Sequence, residues 1–125
     1  MKQLLCGFVS LSLVLALSGE AQAQPAYTYS TLDVPGYYIT LAASVNDAGQ
    51  IVGYSSTFLA PSNRHGFLYS GGTYTTIDVP GAVDTLANGI NASGQIVGRY
   101  DGGLFGAIHG FLLSGGSSRR STYPV

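Results

Sequence analysis

The sequence predicts an all-β repeat protein: antiparallel four-stranded blades of β-propeller type, two repeats long, and therefore an incomplete propeller. Three observations predict it. The chain repeats itself at a spacing of 45 residues, Asp33-Val-Pro-Gly recurring at Asp78, Asn46 at Asn91, and Gly49-Gln-Ile-Val-Gly at Gly94. Short runs rich in β-branched and aromatic residues alternate with Pro-Gly, Asn-x-x-Gly and Gly-Gly punctuation. Beyond residue 23 no window sustains a helical period. Four strands in about 45 residues is the size of one propeller blade, and self-similarity at that period marks an array of such units.

Residues 1–23 read as a signal peptide. Lys2 gives the positive start, Leu4 to Leu17 an apolar stretch, and Ala21-Gln22-Ala23 the small-x-small form of a cleavage site. The apolar run is short of the ~20 residues that span a bilayer. Cleavage leaves Gln24 as the new N-terminus, with no membrane span in the remaining chain, and predicts a secreted protein, extracellular or periplasmic. Cys6 is the one cysteine and lies in the leader, so the exported part holds together without disulfides.

Residues 24–27 form a short N-terminal segment, 28–72 the first repeat and 73–116 the second. Pairing them, with a one-residue deletion that brings His65-Gly-Phe-Leu onto His109, leaves 24 of 44 aligned positions identical. Within the second copy, Thr73 to Val79 reads as the first strand, ending at Pro80-Gly81, where Pro pre-sets φ and Gly supplies the positive φ of a type II turn. Thr85 to Asn91 reads as the second strand, Gln95 to Arg99 as the third, and Ile108 to Leu113 as the fourth. Asn91-Ala-Ser-Gly94, like Asn46-Asp-Ala-Gly49, reads as a tight hairpin turn.

Two blades cannot close, since propellers use roughly four to eight. The exposed edges then call for further copies of the chain, a homo-oligomer, or for more repeats. The tail, residues 117–125, fits the second route. A third repeat would begin Ser-Phe-Thr-Thr-Ile-Asp-Val-Pro-Gly, encoded for example by AGT TTC ACG ACG ATC GAC GTA CCC GGT. Loss of one T gives AGT TCA CGA CGA TCG ACG TAC CCG GT, which encodes Ser117-Ser-Arg-Arg-Ser-Thr-Tyr-Pro-Val125 as found. The tail therefore reads as the frameshifted start of a third repeat, and Arg119-Arg120 as an accident of the frame. The alternative is a natural polar tail.

The segments Asn91-Ala-Ser-Gly-Gln-Ile-Val-Gly98 and His109-Gly-Phe-Leu-Leu-Ser-Gly-Gly116, with their counterparts from Asn46 and His65, resemble the bacterial HAF-type extracellular repeats. That family carries a His-Ala-Phe core, typically preceded by Gly-Ile-Asn-x-x-Gly-x-Val-Gly. Gly66 and Gly110 stand where it has Ala, and Ser44-Val45-Asn46 departs from Gly-Ile-Asn where Gly89-Ile90-Asn91 keeps it. The resemblance covers nearly all of the exported chain. It implies an exported, propeller-like repeat protein, usually of more than two repeats, and brings no catalytic residues with it.

Composition narrows the function. Only 9% of residues are charged and the net charge is −1, so there is no basic field for a phosphate backbone, and nucleic acid is not an expected partner. Residues repeated in each copy are expected to do what each blade needs. His65 and His109 are read as locks bonded to a carbonyl or an Asp, with Asp33 and Asp78 as turn formers and second as their partners. Asn46-Asp-Ala-Gly49 looks superficially like a calcium loop, but the exported part has no Glu, and Asp47 becomes Ala92. With no cysteine and two repeat-related histidines zinc is equally unsupported, and no metal or other cofactor is expected. Asn91-Ala-Ser93 matches a glycosylation sequon within the turn.

The residues that differ between copies are the ones open to a special role. Asp84 and Asp101 replace Ile39 and Ser56, and would make a carboxylate pair if they shared a rim. Arg64 and Arg99 are matched by Ile108 and Tyr54. Tyr37, Tyr38, Tyr54, Phe58, Tyr100 and Phe105 lie in or near predicted turns and strand ends, where a ring can stack on a sugar or an apolar partner; Tyr54, Tyr100 and Phe105 are the binding candidates. The reading is a non-enzymatic binding or scaffold module whose partner is a carbohydrate or a cell-surface protein. Its rivals are a truncated remnant without function and a propeller enzyme acting on polysaccharide.

Overall fold

The described residues fold as two up-and-down meanders, all-β and antiparallel throughout. In the computed structural model, residues 24–103, 105–115 and 117–119 are described; the expected signal peptide and residues 120–125 of the tail lie outside them. The first sheet runs in the order β1 (Ile39–Val45), β2 (Ile51–Ser56), β3 (Arg64–Ser70) and β4 (Thr73–Ile77). The second has β5 (Asp84–Ile90), β6 (Ile96–Asp101), β7 (Ile108–Ser114) and the three-residue β8 (Ser117–Arg119). Both sheets belong to the unit Leu32–Val125; residues 24–31 form no strand and fall in a separate unit.

The repeated polar residues explain the repeated hairpin. The Asn46 amide N–H donates to the Gln50 carbonyl (3.1 Å) and the Gly49 N–H to the Asn46 carbonyl (3.0 Å), a three-residue loop with Gly49 at φ 75°, which the absent Cβ permits. The Asn46 side chain seals the turn: Oδ1 accepts from the Gln50 N–H at 3.0 Å, and Nδ2 donates to Gln50 Oε1 at 2.8 Å. Asn91 and Gln95 repeat both bonds at 2.9 and 2.8 Å. Gln95 Nε2 then donates to Ser114 Oγ at 3.0 Å, and Gln50 Nε2 to Ser70 Oγ at 3.5 Å, tying each turn to the third strand of its sheet.

The Gly that ends Gln-Ile-Val-Gly has a different cause. β1 and β2 slip register between Ala42 and Ser44, and β5 and β6 slip between Ala87 and Gly89, so each copy carries a bulge at the same place. Gly53 pairs with Ala42 and Gly98 with Ala87. A Cβ at Gly53 would fall on the Leu41 carbonyl oxygen and one at Gly98 on that of Leu86. The bulge therefore admits only glycine opposite it.

Sheet boundaries and sequence repeat are out of phase, which corrects one strand assignment. Thr73–Ile77 is not the first strand of the second sheet; it closes the first, pairing Tyr74 with Tyr69 and Thr75 with Leu68. The physical reason is the two-residue connection Gly71-Gly72, with φ 57° and 88°, the positive pair that a type I′ hairpin requires. In the second sheet Ser117 takes the same place, opposite Ser114.

The sheets stack through one face of each. Val52 and Ile77 from the first, with Val79 just beyond β4, meet Ala87, Ile96 and Phe111 from the second, and Leu68, Tyr100 and Leu113 pack around them. Full burial of a Val, Ile or Phe side chain contributes about 1.5–3 kcal/mol. Gly66 lets the backbones approach: a Cβ there would lie 2.8 Å from the Ile77 carbonyl oxygen and 3.5 Å from the Ala87 nitrogen. At one end of the stack Asn46 Nδ2 donates to the Asn91 carbonyl at 3.0 Å, a bond between equivalent turns of the two repeats.

Candidate functional site

The opposite end of the stack gathers the residues that the two copies do not share. Arg64 begins β3 and Asp84 begins β5, and the two make a forked ion pair across the sheets. Nε donates to Oδ1 at 2.8 Å and the terminal nitrogen to Oδ2 at 2.5 Å. The backbone N–H of Arg64 also donates to Asp84 Oδ1, at 2.9 Å. Hydrogen bonding to Asp84 holds the guanidinium pKa above its ordinary value, against the opposing effect of burial and aided by the carboxylate's charge. The Arg64 carbon Cζ lies 5.6 Å from the centroid of the Tyr54 ring, giving the cation an aromatic face as well.

Asp84 and Asp101 are cross-strand partners, in register at the start of β5 and the end of β6. They do share one end of the sheet, but both are engaged. Asp84 is held by Arg64, and Asp101 Oδ1 accepts from the Gly103 N–H at 3.0 Å, shaping the loop that follows. With Arg64, Arg99, Tyr100 and Ile108 they line a cavity of about 70 Å³. That is room for a few waters or one small polar group of a ligand, and well below the usual 300–1,000 Å³ of a small-molecule pocket.

Around this cavity the loops are apolar. The Tyr38 and Phe58 rings meet edge to face at 5.2 Å, both largely exposed, beside the exposed Leu59. Phe105, in the loop between β6 and β7, is 98% exposed. Of the three binding candidates, Phe105 stands free at the loop tip and Tyr54 lies under Arg64. Tyr100 is half-buried, tilted against His109 at 5.2 Å and packed on the inter-sheet core. Tyr37 instead packs on His65 at 5.6 Å.

The histidines part company. His65 Nδ1 lies 2.8 Å from Asp78 Oδ2, so the carboxylate just beyond β4 pins the start of β3. His109 is exposed and, among the described residues, meets the Tyr100 ring but no carboxylate. Sequence reasoning singled out Arg64 and Asp84 separately without joining them. The signal was their joint replacement by Ile108 and Ile39 in the other copy. Among the described residues no three His, Cys, Asp or Glu side chains converge as metal ligands, and no helix is long and apolar enough to cross a membrane.

No family model, curated protein or solved structure matches the chain.

Proposed function

We propose that the chain is an exported repeat module of the HAF type, its two sheets being blades of a β-propeller, and that it serves as a binding or scaffold element. The observation that carries this reading is the asymmetry of the two ends of the stack. The Asn-turn end is closed by bonds repeated in each copy, whereas the other presents Tyr38, Phe58, Leu59 and Phe105 on loops around a small charged cavity. Exposed aromatics beside fixed polar groups suit a carbohydrate face or a cell-surface protein. The paired carboxylates support binding over hydrolysis, because Asp84 is committed to Arg64 and Asp101 to its own loop.

The test is titration of the purified chain with soluble bacterial polysaccharides, followed by NMR shifts and calorimetry. Binding that perturbs the 102–107 and 57–63 loops, and weakens at least tenfold in Phe105→Ala, supports the reading. Perturbation confined to the Asn46 and Asn91 turns would overturn the assignment of the binding end.

A further inference from the structure

The second sheet presents, uncovered, the face that the first sheet has covered. Val52 is fully buried and Leu68 half-buried against the second sheet; their equivalents Val97 and Leu112 are 51% and 42% exposed. Val97 and Leu112 border an open groove with Gly89, Asn91 and Gln95. The buried residues clustered with Val52, namely Ile77, Val79, Ala87, Ile96 and Phe111, have apolar equivalents earlier in this same chain: Leu32, Val34, Ala42, Ile51 and Phe67.

Three further matches add to that apolar pattern. At the internal junction Arg64 pairs with Asp84. Stepping on by one repeat replaces Arg64 with Ile108, which is 61% exposed, and Asp84 with Ile39, so ion pair and apolar pair exchange as a unit. Likewise Asp78 pins His65, whereas His109 meets no carboxylate among the described residues; the equivalent of Asp78 is Asp33, in an exposed turn. The segment before Asp33 also differs from its counterpart in the second repeat. Thr73–Ile77 is the fourth strand of the first sheet, and Tyr74 packs on Phe67 and Tyr69, yet its equivalent, residues 28–32, forms no strand and Tyr29 is 91% exposed. β7 in turn has only β8, three residues long, on its outer edge among the described residues.

We propose that a second copy of the chain docks head to tail on this face. Its residues 28–32 add to the outer edge of β7 in place of β8, its Asp33 reaches His109, and its Ile39 packs on Ile108. Each copy thus completes its neighbour's last blade. The contact is heterologous, and where its rotation closes it makes a ring of copies. With two sheets among the described residues of each copy and about four to eight blades in a closed propeller, such a ring holds two, three or four copies. The inference rests on the blade reading of the two sheets.

The test is sedimentation velocity on the full chain, produced in a bacterial host that exports it. The expected result is one species of two to four copies. Ile108→Arg and Ile39→Asp alone each weaken assembly by at least tenfold, and the two together restore it, by recreating the Arg64–Asp84 pair at the new junction. Asp33→Asn, at an exposed turn whose change leaves folding intact, weakens assembly about tenfold through loss of a charged hydrogen bond. A folded β-rich monomer at all concentrations overturns the inference and leaves the blade reading standing, as do single variants that assemble normally or a double variant that does not recover. A chain without cooperative unfolding overturns both.

Discussion

Val52 and Val97 are the same residue at the same place in the two repeats, and the structure assigns them different work. Val52 is fully buried at the inter-sheet contact and Val97 is 51% exposed. Replacing either by Ala removes two carbons. At Val52 the transfer loss is about 1.6 kcal/mol, at about 0.8 kcal/mol for each buried carbon. The space vacated between packed sheets adds about 1 kcal/mol, so the expected cost is about 2–3 kcal/mol. At Val97 the carbons are already half in water and no closed cavity forms, leaving under about 1 kcal/mol. For a domain of this size each kcal/mol moves the midpoint by about 4–8 °C. Thermal unfolding followed by circular dichroism, under dilute conditions where the chain is monomeric, should show Val52→Ala lowered by about 10–20 °C and Val97→Ala by only a few degrees. Equal losses at the two sites would refute the stacking of one sheet on the other.

Other substitutions probe the same junction. In the monomer, Gly66→Ala forces a Cβ to 2.8 Å from a backbone oxygen and should destabilise by about 1–3 kcal/mol, while Gly110→Ala, whose nearest atom is 3.8 Å away, should be neutral or stabilise by about 0.5 kcal/mol. Denaturant midpoints in the opposite order would contradict the close approach of β3 and β5. Asp84→Asn strips Arg64 of its charged partner and should cost about 2 kcal/mol by urea unfolding. Because the folded state raises the Arg64 pKa, that contribution is complete below the ordinary arginine range and is lost only as pH rises through the higher folded value. Native and Asp84→Asn chains that became equally stable near neutral pH would refute it. His65→Ala should loosen the link between β3 and the turn after β4, seen as faster amide exchange there, with little change at His109→Ala in the monomer. Equal acceleration at both sites would contradict the difference.

Much of the architecture was legible because the repeat prints its turns twice. The Asn-x-x-Gly tetrads set both hairpins, and the β-branched runs set most strand positions. The repeat unit's phase was not legible from self-similarity, which fixes a period and not a starting point. The clue lay in Gly71-Gly72, a two-residue connection of the kind that folds adjacent strands back on each other, which places Thr73–Ile77 with the strand before it. Gly53 and Gly98 look like ordinary strand glycines in the sequence; their necessity comes from a bulge on the neighbouring strand, a contact that no local pattern encodes. At the candidate site, aromatic residues near turns were visible, but which were exposed was not. Tyr100 and Phe105 stand five residues apart, yet Tyr100 packs against the inter-sheet core while Phe105 stays exposed at a loop tip.

The two repeat-related sheets stack face to face, with β3 of the first against β5 of the second. A nuclear Overhauser contact between the Gly66 α-protons and the amide proton of Ala87 tests this stacking, since a Cβ at Gly66 would lie 3.5 Å from that nitrogen. The contact should appear alongside the within-sheet contact of Gly66 with Ile77, its register partner on β4. A spectrum with the Ile77 contact intact and no Gly66–Ala87 contact would show meanders that form without stacking.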